Sequence, residues 1–366
     1  MSREVEKRPH TKAQRAAMQK KRKQKKIAML AIEVLVLLVL AIVLFVVIKL
    51  SKIEKDTSFS ADDISVNEGL SSESIELMKG YTTVALFGLD NRSNGNLSKG
   101  NSDVIMLAAI NNDTKEVKLC SVYRDTYLDI GSGSFRKCNA AYASGGPEQA
   151  INMLNTNLDL NITDYVTVDF NAVVECVDLL GGVEVTITDE EAVLMQGYMD
   201  EINKLTKHSS KYLSGAGTYN MDGVQACAFA RIRYTAGDDY KRAERQRTVL
   251  SAMIQKAQKS DLKTINSLIN EVFSDIKTSY SNTELISLAA QVFSYKLGET
   301  SGFPFEKNST TLGSKGSIVA PCDLESNVTE LHTFLYDDTD YTPTETVQSN
   351  SAKIINDTGF HQGDGY

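Results

Sequence analysis

The chain of 366 residues carries 47 acidic against 39 basic side chains, for a net charge of -8. Its five cysteines lack CxxC spacing and its four histidines lack HExxH spacing, so a zinc site and a dithiol redox centre are both without a signature. No serine-triad pattern is visible either.

Residues 1–26 hold Arg3, Lys7, Arg8, Lys12, Arg15 and the run from Lys20 to Lys26. Ile27 to Leu50 follows as an apolar run broken internally only by Glu33, long enough as a helix to cross roughly 30 Å of hydrocarbon. The pattern predicts one transmembrane helix at 27–50, retained because it is too long for a signal peptide and no small-residue cleavage site closes it. The positive-inside rule makes residues 1–26 a cytoplasmic basic tail and places everything after Leu50 outside the cell membrane. A nucleic-acid tail is the rival reading of the basic run. The part beyond residue 50, however, has 27 basic against 44 acidic side chains, which disfavours nucleic acid as a partner and leaves the lipid bilayer as one.

Residues 51–79 are polar and rich in Ser, Asp and Glu, reading as an extracytoplasmic stalk. Residues 347–366 read as a flexible C-terminal tail. Between them, 80–346 is long enough for one domain with a full core and a ligand cavity. Strands are expected at Tyr81–Leu89, Asp103–Ile110 and Val117–Tyr123, with Asn-Asn-Asp-Thr-Lys turning the chain between the last two. Pro147 opens a helix through Leu158. Tyr165–Val168 is a strand, Asn171–Leu180 a helix stopped by Gly181 and Gly182, and Val183–Ile187 a further strand. The alternation near Ala228–Tyr234 predicts another strand, Tyr240 to about Lys259 an amphipathic helix, and 261–293 two more helices. The fold class is α/β: an α/β/α-type sandwich with a central mixed sheet, preceded by one transmembrane helix.

If the first three strands form an antiparallel meander, Asp90, Asp103, Arg124 and Asp125 emerge at one end of the sheet. Asp90 and Asp103, separated by an Asn/Gly/Ser loop, suit a divalent cation bound through one or two carboxylates plus phosphate and water. They equally suit an Asx turn and a loop cap. In an acidic chain the cluster Arg231, Arg233, Arg242, Arg245, Gln246 and Arg247 stands out, because guanidinium groups match phosphate oxygens with paired hydrogen bonds. On a strand Arg231 and Arg233 share a face, and on a helix Arg242, Arg245 and Gln246 share a side. Asp238 or Asp239 would cap that helix, whose amides favour an anion. The competing explanation is a solvated helix with ion pairs to Asp239 and Glu244.

These segments resemble the LytR-CpsA-Psr family of Gram-positive cell envelopes. The likeness is carried by Phe-Gly-Leu-Asp90, Ser102-Asp103, Ser-Val-Tyr-Arg124-Asp125, Lys137-Cys-Asn139-Ala-Ala-Tyr, Tyr-Val-Thr-Val-Asp-Phe170, Gly223-Val-Gln-Ala, Arg231-Ile-Arg233 and Arg242 with Arg245-Gln246. It implies transfer of a glycopolymer, such as teichoic acid or capsular polysaccharide, from a polyprenyl pyrophosphate carrier to peptidoglycan. It further implies Mg²⁺ on Asp90 and Asp103, pyrophosphate oxygens on Arg124, Arg231, Arg233, Arg242 and Gln246, and positioning by Lys137 and Asn139. Asp90 or Asp125 would serve as base. Apolar residues of Ile151–Leu180 would line a lipid channel or form ordinary core. Cys138 and Cys227 depart from the family pattern, as a bridge or as packing. A pyrophosphate-binding regulator and a lipid pyrophosphate hydrolase are the alternative functions.

Overall fold

The computed structural model describes residues 54–55, 59–89, 97–98, 100–233, 238–272, 276–281, 284, 287–288 and 291–366. The predicted basic tail, the transmembrane helix and Asp90 lie outside the described residues. In chain order the elements are β1 (Glu54–Lys55), α1 (Ser72–Lys79), β2 (Tyr81–Leu89), β3 (Ser102–Asn111), β4 (Glu116–Val122), β5 (Tyr127–Asp129), β6 (Phe135–Lys137), α2 (Ala140–Leu158), β7 (Asp164–Val168), α3 (Phe170–Leu179), β8 (Val183–Ile187) and α4 (Asp189–Thr206). There follow β9 (Gly217–Met221), α5 (Gly223–Arg231), α6 (Asp238–Gln258), α7 (Leu262–Glu271), β10 (Ile276–Thr278), β11 (Lys296–Phe303), β12 (Lys307–Thr311), β13 (Ser317–Pro321), α8 (Leu324–Tyr336) and α9 (Glu345–Thr358).

The central sheet has the order β1-β10-β7-β2-β3-β4-β11. β2, β3 and β4 form the expected antiparallel meander, while β7 joins β2 and β11 joins β4 in parallel, so the sheet is mixed. The turn between β3 and β4 is fixed by Asn111, whose side-chain oxygen accepts hydrogen bonds from the amides of Asp113 and Thr114. Alternation along the strands divides the sheet into two faces. Ala85, Phe87, Ile105, Leu107, Cys120 and Val122 pack in one core with α2, α8 and α9. Met106, Ala108, Val117 and Leu119 face the other way, with Leu250 of α6 against them. A separate cluster unites α3, α4 and α5 with the ribbon β8–β9. Helices therefore flank both faces of an α/β fold.

Several expectations are corrected. The predicted stalk contributes to the domain at its C-terminal half: Met78 is buried, Phe59, Ile64 and Leu70 pack on the main core, and Ser71 caps α1. Residues 347–366 are no loose tail, because α9 buries Val347, Asn350, Ser351 and Ile354. Polar composition concealed a helix whose inward face joins the apolar Val347 and Ile354 to the polar Asn350 and Ser351. Of the strand expected at 228–234, residues 228–231 are instead the end of α5; Asp222 and Gln225 exchange hydrogen bonds in a capping box that starts this helix. Within 261–293 the described residues include the helix α7 and helical Glu284, Ser287 and Leu288, as expected, with the short strand β10 beside β7 between them. β8 pairs with β9 outside the central sheet. The five cysteines are not disulfide-bonded, and Cys138 and Cys227 pack in the interior.

Candidate active site

The meander places the start of β3 and the end of β4 at one edge of the sheet, and Arg124 Nη1 reaches Asp103 Oδ1 at 2.6 Å. Arg124 is held by its backbone: Tyr123 N donates to Phe303 O, and Asn139 N donates to Arg124 O, at 3.0 and 3.1 Å. Asn139 thus serves through its main chain, since its carbonyl also accepts from Ser102 N. Asp125 lies 3.7 Å from Arg124 Nε and 3.1 Å from Lys137 Nζ.

The second half of the site comes from α5 and α6. Gly223 lets α5 cross α3 closely; a Cβ there would stand 2.2 Å from the carbonyl oxygen of Val174. This crossing carries Arg231, in the last turn of α5, over the ring of Phe170 at 4.5 Å and to Glu201 at 3.2 Å. Arg233 follows in the chain leaving α5. One turn into α6, Arg242 Nη2 is 3.0 Å from Asp239 Oδ1, which is also 3.6 Å from Arg233 Nε and 3.9 Å from Arg124 Nε. Gln246 donates to Ala230 O at 3.4 Å.

Arg124, Arg231, Arg233, Arg242, Gln246 and Asp103 all line one cavity of about 540 Å³. Its remaining wall is mainly apolar, with Leu86, Val166, Val168, Val173, Val249 and Leu250 among the lining residues. The expectation for Ile151–Leu180 therefore divides: β7 and α3 line this cavity, whereas Ile151, Leu154 and Leu158 of α2 are core on the opposite face of the sheet. A second recess of about 530 Å³, with Glu299, Phe305, Glu330 and Phe334 on its wall, has no arginine in its lining and lies apart from this chemistry.

Four expected site residues stand outside the cavity lining. Asp125 and Lys137 form a pair behind Arg124, and Asn139 acts as described. Arg245 turns away: its Nε pairs with Glu191 at 2.8 Å and its Nη1 donates to Ile232 O, so it braces α4 and α5 against α6. Three residues apart on a helix, Arg242 and Arg245 are close enough in direction that only their tertiary partners separate their roles.

From the sequence, Asp239 is a candidate helix cap or a local ion-pair partner of the arginines; in the fold it is the hub of the guanidinium cluster. Burial favours its neutral form, but Arg242, a hydrogen bond shared with Asp125, and then Arg124 and Arg233 hold it below the ordinary carboxylate range. Its partner is displaced oppositely: burial and the hydrogen bond to Asp239 push Asp125 up, against the pull of Arg124 and Lys137. The Nε groups of Arg124 and Arg242 are buried and make no hydrogen bond among the described residues. Such donors are what an incoming phosphate oxygen can satisfy.

Among the described residues the carboxylates of Asp103, Asp169 and Glu201 line the cavity; Asp169 caps α3 and Glu201 pairs with Arg231, which leaves Asp103 as the candidate for a divalent cation, and no cluster of three or more candidate ligands occurs. That donor set fits Mg²⁺, which takes one or two carboxylates and otherwise water and substrate phosphate.

A family model described as the LytR_cpsA_psr family matches residues 43–318. The chain is 31% identical over 210 residues to the polyisoprenyl-teichoic acid–peptidoglycan teichoic acid transferase TagU of Enterococcus faecalis, covering 57% of this chain and 64% of that protein. It is 30% identical over 230 residues to the transferase TagT of Bacillus subtilis, covering 61% and 69%. The chain thus spans about two thirds of the length of these relatives. The crystal structure of TagV from Bacillus subtilis is similar in fold, with a TM-score of 0.56 and 24% identity over 72% of this chain and 99% of that one.

Proposed function

The chain belongs to the LytR-CpsA-Psr family, and on that premise we propose that it is a membrane-anchored phosphotransferase moving a glycopolymer from a polyprenyl pyrophosphate carrier to peptidoglycan. One observation carries this reading: four arginines and Gln246 meet at the wall of a cavity that is otherwise apolar. A ligand suited to both parts is a long hydrocarbon ending in a multiply charged anion. The names of the relatives, which act on polyisoprenyl-linked teichoic acid and peptidoglycan, support the same substrate class.

In the proposed reaction the pyrophosphate lies among Arg124, Arg231, Arg233 and Arg242, and the prenyl chain occupies the apolar cavity. A hydroxyl oxygen of peptidoglycan attacks the phosphorus bearing the glycopolymer. A new P–O bond forms, the bond to the second phosphate breaks, and polyprenyl phosphate leaves with the bridging oxygen. The hydroxyl proton passes to a carboxylate, for which Asp90 and Asp125 are the candidates. Charge neutralisation and in-line placement are the main demands of phosphoryl transfer, and the arginines meet the first directly. Mg²⁺ held by Asp103, with Asp90, would add neutralisation of the pyrophosphate oxygens.

The apolar run at 27–50 is read as the anchor, with the N-terminus cytoplasmic and the domain outside. The full chain, supplied with a lipid-linked sugar pyrophosphate, peptidoglycan fragments and Mg²⁺, is expected to release polyprenyl phosphate and give a phosphodiester-linked product by mass spectrometry. A free sugar phosphate as the only product would assign hydrolysis instead, and no turnover would assign a binding protein.

A further inference from the structure

We propose that Asp239 is an internal anion whose competition with ligand phosphate makes the arginine cage selective for pyrophosphate over monophosphate. This deepens the proposed function and rests on it. Without ligand, the cage is not a bare positive surface. Arg124 is neutralised by Asp103 and Arg231 by Glu201, while one oxygen of Asp239 lies within 3.0 to 3.9 Å of Arg242, Arg233 and Arg124 together. Three guanidinium groups from three separate chain segments thus converge on a single carboxylate oxygen.

The pairing neutralises charge but satisfies few hydrogen bonds. Asp239 Oδ1 is buried and accepts none among the described residues, and the Nε groups of Arg124 and Arg242 are buried donors that make none. A carboxylate is planar and carries a single charge, so it balances this cluster without matching the directions of its donors. An entering phosphate gains those hydrogen bonds, and it must first displace a carboxylate tethered at high effective concentration. A monophosphate exchanges one anionic group for another and recovers little. A pyrophosphate has two phosphoryl groups, more charge and more oxygens, and can hold several arginines at once. The same competition would favour departure of the polyprenyl monophosphate left after transfer, because Asp239 can reclaim the arginines.

Calorimetric titration of the full chain in detergent with inorganic pyrophosphate and with inorganic orthophosphate tests this. Wild type is expected to prefer pyrophosphate. Asp239→Asn should bind both anions more tightly, with orthophosphate gaining more, so that the preference falls about tenfold. Asp239→Glu, which keeps the charge, should keep the preference and controls for damage to the fold. Wild type that binds pyrophosphate while Asp239→Asn leaves the preference unchanged, or binds both anions more weakly, would overturn the role of Asp239 alone. Wild type that binds no pyrophosphate would overturn both this role and the pyrophosphate reading beneath it.

Discussion

Arg124 and Asp103 meet at 2.6 Å across two strands of one meander, so one guanidinium and the candidate metal carboxylate of the site are positioned by the same end of the sheet. Neither can shift without the other. Arg124→Ala is expected to lower turnover by roughly 100- to 1,000-fold, the scale of losing one transition-state donor. Arg124→Lys should recover only part of this, because an ammonium lacks the planar fork. The rate of polyprenyl phosphate release measures both; full activity in Arg124→Ala would remove this residue from the mechanism.

Arg242 and Arg245 sit one turn apart and answer to different partners. Arg245 and Glu191 are a buried pair, their side chains 7% and 14% exposed. Arg245→Ala should therefore cost about 3 kcal/mol in denaturant unfolding while leaving pyrophosphate affinity of the folded protein nearly unchanged. Arg242→Ala should do the reverse, weakening pyrophosphate binding more than it weakens the fold.

Asp125 gives stability a recognisable pH dependence. In the unfolded chain it titrates near its ordinary value of 3.8, and in the fold burial and Asp239 raise it. A raised carboxyl contributes stability that is full below the unfolded value and is lost as pH rises through the folded one. Relative to Asp125→Asn, wild type should lose stability as pH climbs from about 3.8 upward. Unfolding curves of both proteins across that range report the sign, and loss on acidification would contradict it.

The C-terminal helix is a structural part of the domain. Ile354 is fully buried against the main core, and the cap of α9, Thr344, hydrogen-bonds to the buried Asp159 at 2.7 and 2.9 Å. Ile354→Ala should destabilise the protein by about 2 to 5 kcal/mol. A neutral effect in chemical denaturation would restore the reading of 347–366 as a loose tail.

The meander was legible because Tyr81–Leu89 and its two successors carry long apolar runs bounded by turn residues. Arg231 was attributed to a strand because Ala-Arg-Ile-Arg alternates, although Asp222 and Gln225 had the spacing of a capping box and announced α5. β10 has only three residues, too few for a period to register. Of the site, the cationic members could be named from charge and spacing. Asp239 could be named as a cap or a local ion-pair partner, but its role as a hub could not be read, since Arg124, which it also approaches, lies 115 residues away in the chain. Arg245 was overassigned for the converse reason: Glu191, which captures it, lies 54 residues away.

The central claim is that cage and cavity form one ligand site, and the affinity of the full chain for a long-chain prenyl pyrophosphate tests it most directly. The prenyl compound is expected to bind far more tightly than inorganic pyrophosphate. Arg231→Ala or Arg233→Ala should each weaken it by roughly 1.5 to 3 kcal/mol, the scale of hydrogen bonds to charged groups. Val173→Trp, which fills the apolar cavity, should weaken the prenyl compound while sparing inorganic pyrophosphate. Equal affinity for the two ligands in wild type, unchanged by any of the three substitutions, would contradict the account.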